Sequence, residues 1–142
     1  MKNNIEFIAE IGSNHNSSLE RCYKIISSAK LAGATSVKFQ HFKLRKLFSP
    51  KARFYKKIAN NIKKRELPDE FIPKISSYCK KKKIKFGCTP FDLESVDYIE
   101  KYVDFLKISS YEINWQNLIE KCSKIKKKLI LSTGAASLKE IK

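Results

Sequence analysis

Residues 7–16 read FIAEIGSNHN. A short, mainly apolar run from Ile5 to Ala9 stops at a carboxylate, Glu10. Gly12 follows, and then come four small or hydrogen-bonding side chains, Ser13, Asn14, His15 and Asn16. A buried parallel strand ends this way when its tip carries chemistry: the apolar part is covered, and polar residues emerge where the strand becomes a loop. The same pattern recurs at SVKFQHF (36–42), IKFGCTPF (84–91), FLKISSYE (105–112) and LILSTG (129–134). Five strands that each end in polar residues point to one site built from strand ends.

Between these runs the apolar spacing changes to that of helices. Ile25, Ile26, Ala29 and Ala32 fall near a 3.6-residue period within a helix expected over 19–32, with Ser17 or Ser18 as its cap and Gly33 as its stop. A basic, irregular stretch from His41 to Pro50 and a helix over 51–64 make a long excursion, of the kind that carries function or covers a site. Pro68 is placed to open the next helix at its first turn, which runs to about Lys82. Further helices are expected over 92–101 and 115–122 and from Ser137 onward. This alternation demands a parallel sheet with right-handed crossovers. A doubly wound dinucleotide-binding sheet would show G-x-G-x-x-G after its first strand, and EIGSNHNSS lacks it. Polar residues on five successive strand tips fit a (β/α)8 barrel, which converges its tips on one face. A barrel needs eight strands and about 250 residues. The 142 residues here supply five strands, so the chain is expected to be the N-terminal part of a longer barrel, truncated to about its first five β/α units.

The composition excludes several classes. Hydrophobic residues make up 42% of the chain, which is globular rather than disordered. No apolar run approaches the roughly 20 residues of a membrane helix, and MKNNIEF lacks a signal-peptide core, so the expectation is a cytosolic chain. Cys22, Cys79, Cys88 and Cys122 form no C-x-x-C pair and read as reduced, buried thiols. The net charge of +16 admits a polyanion partner such as nucleic acid. However, the lysines cluster in helical stretches (Lys56, Lys57, Lys63, Lys64, Lys80 to Lys83 and Lys124 to Lys128), as on solvated faces, and no RNA-binding aromatic motif occurs.

Glu10, Lys38, Gln40, Lys107 and Glu112 stand at or just past apolar strands. Charge at a buried strand end is costly unless it is paired or used. The two lysines and two glutamates either neutralise one another structurally, or form a mixed-charge pocket whose lysines hold a phosphate or carboxylate while its glutamates handle protons or sugar hydroxyls. Thr89, Ser109, Ser110 and Ser132 add hydroxyl donors. Phe91 is either a core aromatic or a pocket wall. His15 reads as a loop histidine bonded to its own loop, and two histidines are too few for a self-sufficient metal site.

The strings AEIGSNHN, VKFQHF, CTPFDLESVDYIE, FLKISSYEI and LILSTGAASLKEI resemble, in order and spacing, the sialic acid synthase family, which includes the N-acetylneuraminate, pseudaminic and legionaminic acid synthases. The match spans roughly Phe7 to Ile141. The resemblance implies a (β/α)8 barrel enzyme of surface-glycan biosynthesis that condenses phosphoenolpyruvate with an N-acetylated hexosamine, releasing phosphate and a nine-carbon 2-keto sugar acid. It implies a divalent metal, Mn2+ or Mg2+, and a homodimer in the full-length form. By motif, Glu10 resembles the acid–base group, Lys38, Thr89, Lys107, Ser110 and Ser132 the phosphoenolpyruvate contacts, and Gln40, Phe91 and Glu112 the sugar contacts. The family's two metal-binding histidines and its C-terminal antifreeze-like domain lie beyond the matched region, so this chain is expected to hold no metal in the family's way and, alone, to be an inactive or binding-only portion. Ser17 stands where the family commonly has glycine. Tyr111 stands where pseudaminic-type enzymes carry an aromatic residue, which leans toward a non-standard hexosamine.

Overall fold

A computed structural model describes residues 5–142. Met1 to Asn4, which form part of the leader-free reading of the N-terminus, lie outside the described residues. The elements run β1 (Ile8–Gly12), α1 (Leu19–Leu31), β2 (Ser36–His41), α2 (Leu44–Leu47), α3 (Tyr55–Lys63), α4 (Phe71–Lys82), β3 (Lys85–Pro90), α5 (Leu93–Ile99), β4 (Phe105–Ile108), a 3-10 turn (Ser110–Glu112), α6 (Gln116–Ser123), β5 (Lys128–Leu131) and α7 (Leu138–Ile141). The five strands form one parallel sheet in the order β1-β2-β3-β4-β5. Each crossover therefore steps to the adjacent strand in the same direction, as in a (β/α)8 barrel. A doubly wound sheet would reverse its strand order part-way.

Register divides the sheet into two faces. Glu10, Lys38 and Gly87 are Cα partners, Gly87 pairs with Phe105, and Phe105 pairs with Lys128. The alternate residues Ile11, Val37, Phe39, Phe86, Cys88, Leu106 and Ile108 face the other way. They form the buried core with Ile26, Ile72, Ile75, Val96, Ile99 and Leu118 of the helices. The face turned from the helices is polar at both ends. At its base, Glu6 pairs with Lys85 at 2.7 Å and also with Lys128. Glu6 precedes β1 and Lys128 opens β5, so this contact joins the two outer strands. Four strand spacings of about 4.8 Å would hold them about 19 Å apart in a flat sheet, farther than the two side chains can span. The sheet is therefore curled, and its polar face is the concave one.

Between the two polar layers, Phe105 lies over Gly87. A Cβ on Gly87 would fall 2.1 Å from the Phe105 ring, so only glycine fits beneath it. All four cysteines are buried and free, and burial pushes their thiols up, Cys79 and Cys88 to about 12.

The structure shifts several expected boundaries. β4 coincides with the strand expected at 105–108. β2 and β3 run past the ends of the strands expected at 37–39 and 84–87, because the ladder continues through Gln40↔Thr89 and His41↔Pro90. Ser18 caps α1, accepting from the Arg21 N–H at 3.2 Å, and Gly33 ends it at φ +89°. Pro68 does not start α4. It opens a separate turn, closed by the Phe71 N–H bonding to the Pro68 carbonyl, and the helix begins at Phe71. The excursion contains an additional short helix, α2, and its main helix is trimmed to Tyr55–Lys63.

Candidate active site

The strand tips converge as the sequence pattern predicts. The Lys38 ammonium, with a side chain 2% exposed, lies 2.9 Å from Glu10 Oε2 and donates to Thr89 Oγ1 at 3.0 Å. The other Glu10 oxygen, Oε1, lies 3.7 Å from Lys107 Nζ. One carboxylate thus bridges two lysines drawn from β2 and β4. The pairing explains how Lys38 remains in a buried position, since an unpaired ammonium there would be strongly disfavoured. Glu10 itself is half-exposed, so its carboxylate faces both the lysines and water.

Beside this bridge lies a cavity of about 680 Å3. Gln40, Phe91, Lys107, Ser110, Glu112 and Ser132, six of the nine residues assigned roles by resemblance, line it, as does Ser109. Glu10, Lys38 and Thr89 are not in its lining and connect to it through Lys107. Glu112 accepts a hydrogen bond from Ser109 Oγ, and burial raises its pKa above the usual carboxylate range. Phe91 is a pocket wall, held edge-on against Phe42 with ring centroids 5.9 Å apart. The loop after β5 passes close to the 3-10 turn: a Cβ at Gly134 would lie 3.3 Å from Ser110 Oγ.

Sequence reasoning missed the opposite wall. Phe42, Leu47, Phe48, Ile62 and Arg65 line the cavity from the long excursion, and Ser13 lines it from the loop after β1. The unusual length of the excursion was the only signal. Nothing in its composition shows which of its residues turn inward.

His15 is bonded to its own loop, accepting from the Ser17 N–H through Nδ1 at 3.1 Å. It is fully buried, and desolvation, reinforced by Arg21, pushes its pKa down to about 4. His41 is also buried, with Nε2 2.8 Å from Asp69 Oδ1. Neither faces the cavity, and among the described residues no three His, Cys, Asp or Glu side chains converge as a metal would require. The divalent metal that the resemblance implies does not fit the side chains of the described residues. Among the described residues no helix is long and apolar enough to cross a membrane. The lysines of the basic clusters are exposed or half-buried, most of them on or beside helices.

Residues 25–142 match the NeuB family model. The chain belongs to the NeuB family. The N,N'-diacetyllegionaminic acid synthase of Campylobacter jejuni is 41% identical over 145 residues, covering 94% of this chain and 43% of that protein. The spore coat polysaccharide biosynthesis protein SpsE of Bacillus subtilis is 31% identical, covering 94% of this chain and 38% of that protein. The solved N-acetylneuraminic acid synthetase of Leptospira borgpetersenii superposes with a TM-score of 0.89 at 31% identity, over 98% of this chain and 48% of that one. A heptulosonate phosphate synthase from Thermotoga maritima shares the fold, with a TM-score of 0.70 at 12% identity. The chain spans less than half the length of these curated relatives. This is the sialic acid synthase family that the five strand-tip motifs resemble.

Proposed function

We propose that the protein carrying this chain condenses phosphoenolpyruvate with an N-acetylated amino sugar to give a 2-keto sugar acid and phosphate, and that residues 1–142 supply the first five β/α units of its barrel. The observation that carries this reading is the single carboxylate, Glu10, bridging Lys38 and Lys107 at the edge of a hydroxyl-lined cavity.

Phosphoenolpyruvate is a multiply charged anion. Lys38 and Lys107, with the hydroxyls of Thr89, Ser110 and Ser132, supply convergent charge-assisted donors for it. Its enol carbon must attack the sugar aldehyde, and water must add at the neighbouring carbon before phosphate leaves. Glu10 is placed beside the anion and open to water, and takes the proton from that water. Gln40 and Glu112 offer hydrogen bonds to sugar hydroxyls, and Phe91 offers a ring face. Glu112, with its raised pKa, has a greater share of its donor form than an ordinary carboxylate.

The test is phosphate release and product mass in the intact protein, supplied with phosphoenolpyruvate, Mn2+ and a panel of N-acetylated hexosamines. Turnover that collapses in Glu10→Gln and Lys38→Ala is expected. Full turnover in either variant refutes the role given to that residue. Phosphoenolpyruvate binding without turnover, for any sugar, favours a binding-only role.

A further inference from the structure

Two rings that line the cavity, Phe42 and Phe91, occupy matching places in the fold. β2 ends at His41 and β3 at Pro90, and these two are Cα partners, so each ring belongs to the first residue past its strand. The rings meet edge-on with centroids 5.9 Å apart. The Phe91 N–H still bonds the His41 carbonyl at 3.2 Å, but the ladder stops short of Phe42. One carboxylate holds that residue from outside. Asp69 Oδ1 accepts from His41 Nε2 at 2.8 Å and from Lys43 Nζ at 2.6 Å. His41 and Lys43 flank Phe42, and the backbone at Lys43 is still extended. Side chains two apart on an extended chain share one side, and the residue between them takes the other. A carboxylate that grips both neighbours therefore turns Phe42 toward the cavity.

The clamp is itself fixed. The Asp69 carbonyl oxygen accepts the Tyr98 hydroxyl of α5 at 3.0 Å and the Ile72 N–H of α4 at 3.1 Å. Burial would raise the Asp69 carboxyl, but its bonds to Lys43 and His41 outweigh that and hold it below the ordinary carboxylate range. An ionised carboxylate only accepts, so Nε2 carries the His41 ring proton. A lysine–aspartate pair as exposed as Lys43–Asp69 contributes little by itself. The histidine, only 3% exposed, gives the carboxylate a fixed point inside the fold. Lys46 adds a second tie from the excursion, to Asp92 at 3.4 Å and to Glu94. Asp92 directly follows Phe91 and caps α5, accepting the Ser95 N–H at 2.9 Å.

We infer that Asp69 is a positioning residue for the aromatic wall of the cavity: through His41 and Lys43 it fixes Phe42, and Phe42 backs the Phe91 ring. The catalytic consequence rests on the functional reading above, which sets Phe91 against the sugar acceptor. Asp69, His41 and Lys43 are absent from the cavity lining, so the clamp acts only through the ring it holds. The phosphoenolpyruvate side stands apart from it, since Lys38 and Lys107 bond to Glu10 and Thr89 and not to Asp69.

The experiment measures KM for an N-acetylated hexosamine and for phosphoenolpyruvate separately in the intact protein, and determines the crystal structure of the Asp69→Ala variant. Asp69→Ala should raise the sugar KM about fivefold or more and leave the phosphoenolpyruvate KM within about twofold. Asp69→Asn, whose amide oxygen still accepts from both donors, should recover most of that loss. In a Phe42→Leu background Asp69→Ala should add less than about twofold, because the clamp then has no ring to hold. In the crystal the Phe42 ring should leave its edge contact with Phe91. An Asp69→Ala protein that keeps its sugar KM overturns the inference and leaves the functional reading intact. So does an equal added factor in the Phe42→Leu background, the mark of a merely structural role. If Asp69→Ala does not fold, Lys43→Met, which removes one arm at a half-buried position, should raise the sugar KM about twofold to threefold. An unchanged value there overturns the clamp. A wild type that turns over no amino sugar overturns the functional reading, and the ring geometry of the Asp69→Ala crystal then decides the clamp alone: centroids still near 5.9 Å refute it.

Discussion

Replacing Lys38 with methionine separates what the lysine does for the fold from what it does for binding. Methionine fills the volume of the buried stem and removes the ammonium. The stability side is small. Breaking a buried ion pair usually costs about 3–5 kcal/mol, because it strands the partner charge away from water. Here the partner, Glu10, is half-exposed and keeps Lys107 at 3.7 Å, so its carboxylate is not stranded. The loss that remains is at Thr89, whose fully buried hydroxyl forfeits its bond to Lys38, worth about 1–3 kcal/mol. Relief from burying an ammonium opposes that loss, leaving a net change within about 2 kcal/mol in either direction. The binding side is large. Truncating one buried partner of an anion costs about 2–5 kcal/mol, so affinity for phosphoenolpyruvate should fall at least about 30-fold. With Lys38 gone, the Glu10 carboxylate also repels the incoming anion, so adding Glu10→Gln to Lys38→Met should recover part of the lost affinity, the signature of coupled neighbours. Titration calorimetry with phosphoenolpyruvate, alongside urea unfolding of each variant, reads both quantities. Affinity within twofold of wild type in a Lys38→Met protein of normal urea midpoint would refute the placement of the anion on Lys38.

Two further perturbations test the packing around the site. Gly87→Ala forces a methyl against a ring 2.1 Å away, and Phe105 is only 4% exposed, so the variant should lose about 1–3 kcal/mol by urea unfolding. Gly87→Ala with Phe105→Leu should be more stable than Gly87→Ala alone, and equal stability of Gly87→Ala and wild type would show that the ring does not fill the concave face. His15 sets a pH dependence: its folded pKa is pushed down to about 4 from the ordinary 6.5. Below pH 6.5 the unfolded chain takes up a proton that the folded chain refuses until about pH 4, so this contribution is complete above pH 6.5 and is lost on acidification across that window, on the order of 3 kcal/mol. Stability curves of wild type and His15→Gln with the same slope over that range would contradict it.

The strands were legible because their signal is local. Phe105 to Ile108 is apolar enough, and flanked sharply enough, that its bounds follow from the residues alone. The strand tips were legible for the same reason, since a polar residue immediately after a buried run has few places to go. The apolar wall was not legible. Leu47, Phe48 and Ile62 sit in short helices of a basic excursion, and which side turns inward depends on contacts distant in sequence, such as Glu66 to the Leu44 N–H and Ser17 to the backbone around Arg65. Ser17 shows the limit most clearly: as a departure from glycine it signals only altered loop geometry, and its partners lie 47 and 49 residues away.

The charged strand ends posed a choice in sequence between structural ion pairs and a binding pocket; the structure shows the ion pairs, and the proposed function uses the same residues. Glu10 neutralises Lys38 and Lys107, which is what allows Lys38 to be buried, and the same geometry puts the Lys107 ammonium in the wall of a hydroxyl-lined cavity with Lys38 buried behind it. On the proposed function an entering anion takes up the lysines that Glu10 holds. The carboxylate, half-exposed already, is then released toward the side where water must be activated. A half-exposed Glu10 also spares the pair the cost of desolvating a second charge, so the geometry suits a structural bridge as well. The proposed reaction gives the same carboxylate a use, as the group that takes the proton from water.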